Sequence, residues 1–162
     1  AIDRRAERRM AEYCNTHDIA LLTFAPLAGG FLSEKWCDAD DPVTSGAPYG
    51  KEYRALIEAG GGWPAFQRLL DAFAEVAGRR DRSIASVALR WVLQCGPGQA
   101  VLFGASTPDR LPGALAVFDY ALDDEDLATI EAAALVASPL DVGEIERAPD
   151  SVIMRAIRTH LD

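Results

Sequence analysis

The stretch Ile19-Ala-Leu-Leu-Thr-Phe-Ala-Pro-Leu-Ala-Gly-Gly-Phe-Leu32 decides how the rest of the chain is read. It starts as a continuous apolar run of strand length and breaks at Pro26 and at the pair Gly29 and Gly30, which predicts a parallel strand buried on both faces. Parallel α/β folds place ligand sites where a strand's C-terminal end opens into a loop, and backbone N–H groups in a glycine-containing loop can meet a phosphate.

Working outward, residues from about Arg4 to Thr16 read as a helix with Ala6, Met10 and Cys14 on one apolar stripe. Asn15-Thr-His-Asp18 is the turn before the strand, and His17 sits at the strand's entry, the end a barrel does not use for catalysis. Ser33 to Gly62 is a long connection rich in Gly, Pro, Asp and Ser, with a short helix around Lys51 to Ala59. Asp38, Asp40 and Asp41 lack the order of a calcium loop, so they read as a solvated acidic turn and no metal is expected. From Trp63 to Ala77, Phe66, Leu69, Leu70, Phe73 and Val76 fall at helical core spacing, with Gly78-Arg-Arg-Asp-Arg82 as the stop. Ser83 then caps a helix through Leu93, carrying Val87, Leu89, Trp91 and Val92. Ala100-Val-Leu-Phe103 is a second buried strand.

The turn after it, Gly104-Ala-Ser-Thr-Pro-Asp-Arg110, carries the most specific chemistry. Thr107 as cap, Pro108 at the first helical position and Asp109 in the first turn predict a helix starting right after the strand. Free N–H donors, a positive dipole end and the planar guanidinium of Arg110 together make an anion site. Asp123-Asp-Glu-Asp-Leu127 opens a further helix, to about Leu135, with Leu127, Ile130 and Ala134 inward. Ser151 to Leu161 reads as a terminal amphipathic helix, where His160 is too close to the frayed end for catalysis.

Composition sets the bounds. With 162 residues and 49% hydrophobic content, the chain can bury one core. Sixteen basic and 25 acidic residues leave a net charge of −9, which argues against nucleic acid and anionic membrane as partners. Cys14, Cys37 and Cys95 show no CxxC or zinc spacing, which points to a reduced, cytoplasmic setting. No signal peptide or bilayer-length apolar run is visible.

Thr23 to Leu32, Val101-Leu-Phe-Gly-Ala-Ser-Thr-Pro-Asp-Arg-Leu111, Tyr53-Arg54, the Gly60-Gly-Gly-Trp63 signal and Ser83 to Leu93 together resemble the aldo-keto reductases, in that family's order. The two apolar runs look like the seventh and eighth strands of its (β/α)8 barrel. The resemblance implies a fold class of α/β, the C-terminal part of a TIM barrel, helix-rich with two parallel strands. Residues 1–162 would be a single partial domain, and 33–62 the long loop over cofactor and substrate.

Two strands cannot close an eight-stranded barrel, and open strands would leave edges and an apolar face exposed. Three outcomes follow: a piece of a full-length reductase, a barrel completed by self-association or by a separate N-terminal barrel partner, or a helix-rich unit that hides its apolar faces as a homo-oligomer. The resemblance also implies NADP(H) as cofactor, an aldehyde or ketone as substrate, and a cofactor floor built from Phe24, Ala25, Leu27, Gly29, Gly104, Ala105, Ser106 and Arg110. Arg110 would clamp the 2′-phosphate, Ala25, Leu27 and Gly29 would meet the pyrophosphate through their backbone, and Phe24 would stack where many members use tyrosine. Lys35 and Trp36 stand where the family has a lysine and an aromatic, and read as loop anchors.

The sequence also departs from the family. Leu111-Pro-Gly-Ala114 replaces the acidic or amide residue and the asparagine that hold adenine, and Asp141 to Arg147 resembles the tail of one branch. The tyrosine, lysine, aspartate and histidine that carry catalysis lie in the family's N-terminal part. Tyr13, Tyr49, Tyr53 and Tyr120 match none of those positions, so the catalytic residues are unknown from this chain. Besides the C-terminal part of a reductase, two other readings stand: a truncated homologue with a cofactor-independent activity such as a cyclase, isomerase or dehydratase, and a non-catalytic assembly partner.

Overall fold

The computed structural model describes residues 2–7, 9–42, 50–95 and 100–135. The elements are α1 (Arg9–Thr16), β1 (Leu22–Phe24), α2 (Gly50–Ala59), α3 (Gly62–Arg80), α4 (Ile84–Cys95), β2 (Ala100–Leu102), α5 (Leu111–Leu115) and α6 (Asp124–Ala133), with short 3-10 turns between them. The calls on Tyr49, on Asp141 to Arg147, and on Ser151 to Leu161 with His160 lie outside the described residues.

α3 is the hub. Its stripe of Phe66, Leu69, Leu70, Phe73 and Val76 is fully buried, as the spacing predicts, and packs against α2, α4 and α6. Ile57 from α2, Val87 and Trp91 from α4 and Ile130 from α6 close the core. Each fully buried Leu, Val or Phe contributes about 1.5–3 kcal/mol, so this cluster carries the described fold. α3 runs through Gly78 and stops two residues later, where Asp81 takes a left-handed φ of 52° and the N–H of Arg82 reaches back to the Ala77 carbonyl at 3.0 Å. Ser83 accepts from the Ser86 N–H at 3.1 Å, so it does cap α4.

α6 is anchored by a capping box in which Asp123 and Asp126 satisfy each other's backbone N–H groups. Asp126 is 1% exposed and lies between two cations. Arg79 approaches its Oδ1 at 3.1 Å, and Arg80 bonds its other oxygen.

The strands differ from expectation. β1 and β2 pair in parallel, Leu22 with Ala100, Thr23 with Val101 and Phe24 with Leu102, but they form a two-stranded sheet. Leu22, Phe24 and Leu102 are more than half exposed, while Thr23 and Val101 are half-buried. An apolar run encodes a strand, yet burial on both faces needs neighbouring strands, and none occurs beyond these two among the described residues. Arg4 to Thr16 is likewise split into a 3-10 turn and α1, and Met10 is 40% exposed, not buried on the stripe. His17 is exposed, stacked on Tyr13 at 4.0 Å between ring centroids.

Candidate functional site

Parallel pairing sends the C-terminal ends of β1 and β2 out on the same side, so the loops that follow them meet. Between them lies a cleft of about 670 Å³, within the size range of small-molecule sites. Leu27, Gly29, Gly104, Ala105 and Arg110 line it together. Phe24, Ala25 and Ser106 do not. Phe24 points to the open face of the sheet with 78% of its surface exposed, Ala25 sits at the bend leaving β1, and Ser106 lies exposed on the turn.

The first wall is a bent loop. Ala25, Ala28, Gly29 and Gly30 all take positive φ, at 52°, 50°, 64° and 94°. The glycines adopt this freely, whereas each alanine costs about 1–2 kcal/mol. Backbone strain of this kind clusters at ligand sites and is held here by the short ties Ala28 N–H to Ala25 O and Gly30 N–H to Leu27 O, both 2.9 Å.

Beyond the loop, the chain is pinned along α3. Ser33 Oγ and Trp36 Nε1 both donate to the Gly30 carbonyl, at 2.8 and 3.0 Å. Gln67 bridges the Trp36 carbonyl and the Asp38 N–H, and Trp63 donates to Ala39 O at 2.9 Å. Phe31, Trp36, Trp63 and Phe66 form one aromatic cluster, with centroid separations of 5.0 to 6.2 Å. Trp36 is thus an anchor. Lys35, beside it, stacks its ammonium 4.7 Å from the Trp36 ring and lines the cleft, a placement the anchoring role did not suggest.

The acidic turn is neutralised in part. Asp41 accepts a two-point ion pair from Arg54, with Nε to Oδ1 at 2.6 Å. No group of three His, Cys, Asp or Glu gathers to hold a metal among the described residues.

The second wall is the turn after β2. Thr107 stands at the cap position but its hydroxyl makes no capping bond. It bonds the Asp109 carboxylate, which is held below its usual value first by that hydroxyl, then by a backbone N–H and the Arg110 charge. The predicted helix is a 3-10 turn over Pro108–Arg110 followed by five-residue α5, because Pro112 supplies no N–H. Arg110 is exposed in the cleft, and no carboxylate forms a salt bridge with it among the described residues.

Besides Arg110, the titratable groups in the described lining of the cleft are Glu34, Lys35 and Asp109. Tyr120 lies behind the cleft, its phenol pushed up by burial, with its hydroxyl 3.2 Å from Ser86. Tyr13 is exposed, stacks on His17 and does not line the cleft. The arrangement offers the Arg110 guanidinium to an anion, and no tyrosine or histidine stands in its described lining.

The aldo/keto reductase family profile matches residues 1–135. A Schizosaccharomyces pombe protein whose name places it among the aryl-alcohol dehydrogenases is 30% identical over 128 residues, which are 79% of this chain and 34% of that protein. Versiconal hemiacetal acetate reductase of Aspergillus parasiticus is 27% identical over 139 residues, 80% of this chain and 36% of its own. Among solved structures, a glycerol dehydrogenase from Gluconobacter oxydans superposes with a TM-score of 0.65 at 25% identity, covering 86% of this chain and 42% of that one. The described residues define a helix-rich α/β class with two parallel strands, and that class is shared with the solved relative. Within it, the chain belongs to the aldo/keto reductase family, and it spans about a third of the length of these two relatives.

Proposed function

We propose that the chain is the C-terminal, cofactor-binding part of an NADP-dependent reductase that converts an aldehyde or ketone to an alcohol. The observation that carries this is the cleft shared by the Leu27 to Gly30 loop and the Gly104 to Arg110 turn, with a guanidinium in it that no carboxylate among the described residues bridges. NADPH, when bound, supplies the hydride. Arg110 holds the 2′-phosphate, the backbone at Leu27 and Gly29 lies along the pyrophosphate, and Gly104 leaves the approach open, since a Cβ there would meet nothing within 4 Å. Phe24, with Ala25 beside it, offers its bare ring on the open face as the stacking surface for the nicotinamide, and Ala105 and Ser106 complete the phosphate turn.

The proton donor comes from outside this chain, from the strands that cover Leu22, Phe24 and Leu102. An N-terminal barrel partner fits that face better than nucleic acid or a membrane, because three large apolar side chains lie on a strand pair with open edges in an acidic molecule. No helix among the described residues is long and apolar enough to cross a bilayer.

Titration with NADPH, read by the fluorescence of Trp36 and Trp63, tests the reading. Binding should weaken at least about tenfold in Arg110→Ala, since a charge-assisted bidentate contact is lost. Absence of binding to the unsubstituted protein rejects it.

A further inference from the structure

The strap of residues 33–36, which follows the glycine bend, is fastened on two sides. Toward α3 it is held by the cluster of Phe31, Trp36, Trp63 and Phe66, by Gln67 on the Trp36 carbonyl, and by the two donors to the Gly30 carbonyl. Toward α4 it is held by Glu34, whose Oε1 accepts the Ile84 N–H at 2.7 Å across 50 residues of chain. No other hydrogen bond or ion pair joins residues 33–36 to α4 among the described residues.

Ile84 is the first residue of α4, so its N–H has no partner inside the helix. A carboxylate placed there gains a charge-assisted hydrogen bond and the positive end of the helix dipole. Glu34 and Lys35 line the cleft from the strap, and Ser83, Ala85 and Ser86 line it from the start of α4. The single bond from Glu34 therefore ties two walls of the cleft together.

We infer that Glu34 is a latch: it holds the strap against α4 and sets how fast a ligand enters and leaves the cleft. Trp36, fixed from the α3 side, is the pivot, and release of Glu34 frees the strap on the side that faces the cleft. Loss of one charge-assisted hydrogen bond shifts such an opening equilibrium by about tenfold. The strap is argued from this chain's own bonds, and only the ligand arm of the test rests on the nucleotide reading proposed above.

The test compares Glu34→Ala with Glu34→Gln in the full chain. Both remove the same negative charge and relieve repulsion of an anionic ligand equally, but only Gln keeps an acceptor for the Ile84 N–H. Without ligand, the readout is amide hydrogen exchange at Trp36 and Cys37, whose N–H groups close the strap's turn on the Ser33 and Glu34 carbonyls at 3.1 and 3.2 Å. Exchange there should be about fivefold or more faster in Glu34→Ala than in Glu34→Gln, with Leu70 and Phe73 of α3 unchanged. With NADPH, stopped-flow dissociation should be faster in Glu34→Ala by a similar factor. Equal exchange at Trp36 and Cys37 in the two folded variants overturns the inference, as does equal dissociation. If NADPH does not bind the unsubstituted chain, the nucleotide reading falls and the exchange rates alone decide the latch. If NADPH binding depends on Arg110 but both variants release it alike, only the latch falls.

Discussion

Phe24 stands directly across from Leu102 in the parallel pair of β1 and β2, and the two side chains are 78% and 56% exposed. Among the described residues nothing covers these two large apolar groups, and under the function proposed above a partner's strands would. Replacing both by Ser should change the thermal stability of the chain by itself very little, within about 0.5 kcal/mol, because exposed side chains carry little folding energy. The same pair of changes should abolish the binding of a hydrophobic dye and any association seen by light scattering. A drop in melting temperature of several degrees would show that the face is packed within one chain.

Asp126 sets the join between α3 and α6. Its carboxylate is buried, completes the capping box of α6 and answers both Arg79 and Arg80, so Asp126→Ala takes their buried partner from both cations, leaving Arg79 with Glu75 and Arg80 with Asp123. Removing one partner of a buried ion pair costs about 3–5 kcal/mol. The two arginine side chains keep 31% and 28% of their surface in water. The loss should therefore be nearer about 2–3 kcal/mol, read as a lower urea midpoint at constant m-value.

The same helix start makes stability depend on acid. The Asp123 carboxyl is held below the ordinary 3.8, first by the backbone N–H of Asp126 and then by Arg80. A depressed folded-state pKa means that the unfolded chain takes up the proton more readily. The contribution is whole above 3.8 and is lost as pH falls through the lower folded value. Melting temperatures measured downward from about pH 5 should fall most steeply below about pH 4, and Asp123→Asn should flatten that fall. An unchanged slope in the variant would assign the acid sensitivity to other carboxylates.

The helices were legible because their signals are local. The buried positions of α3 repeat at helical spacing within one segment, and Ser83 sits one residue before α4. Most of what failed depends on distant partners. Strand burial required neighbours that do not occur among the described residues, and Asp126 is buried where Arg79 and Arg80, some 46 residues away, meet it. The Thr107 hydroxyl went to Asp109 instead of a cap, a choice between two local partners. The glycine turns and Arg110 line the candidate cleft, and the sequence singles them out because each residue type has a specific physical use. The left-handed Ala25 and Ala28 could not, since alanine gives no signal for that conformation.

Gly61 is where the backbone has least freedom to change. It enters α3 at φ 123°, and a Cβ there would lie 2.9 Å from the Ala65 Cβ, closer than real side chains come. Two penalties coincide in Gly61→Ala, a conformation that L-residues avoid and a clash with a buried methyl on the first turn of the hub helix. Strained backbone alone costs about 1–3 kcal/mol, so the substitution should destabilise by at least about 2 kcal/mol in equilibrium urea unfolding. Gly113→Ala is the control. It lies inside α5 with open space before it, and replacing a helical glycine should stabilise by up to about 1 kcal/mol. If the two variants shift stability equally, the entry to α3 is not constrained as its geometry indicates.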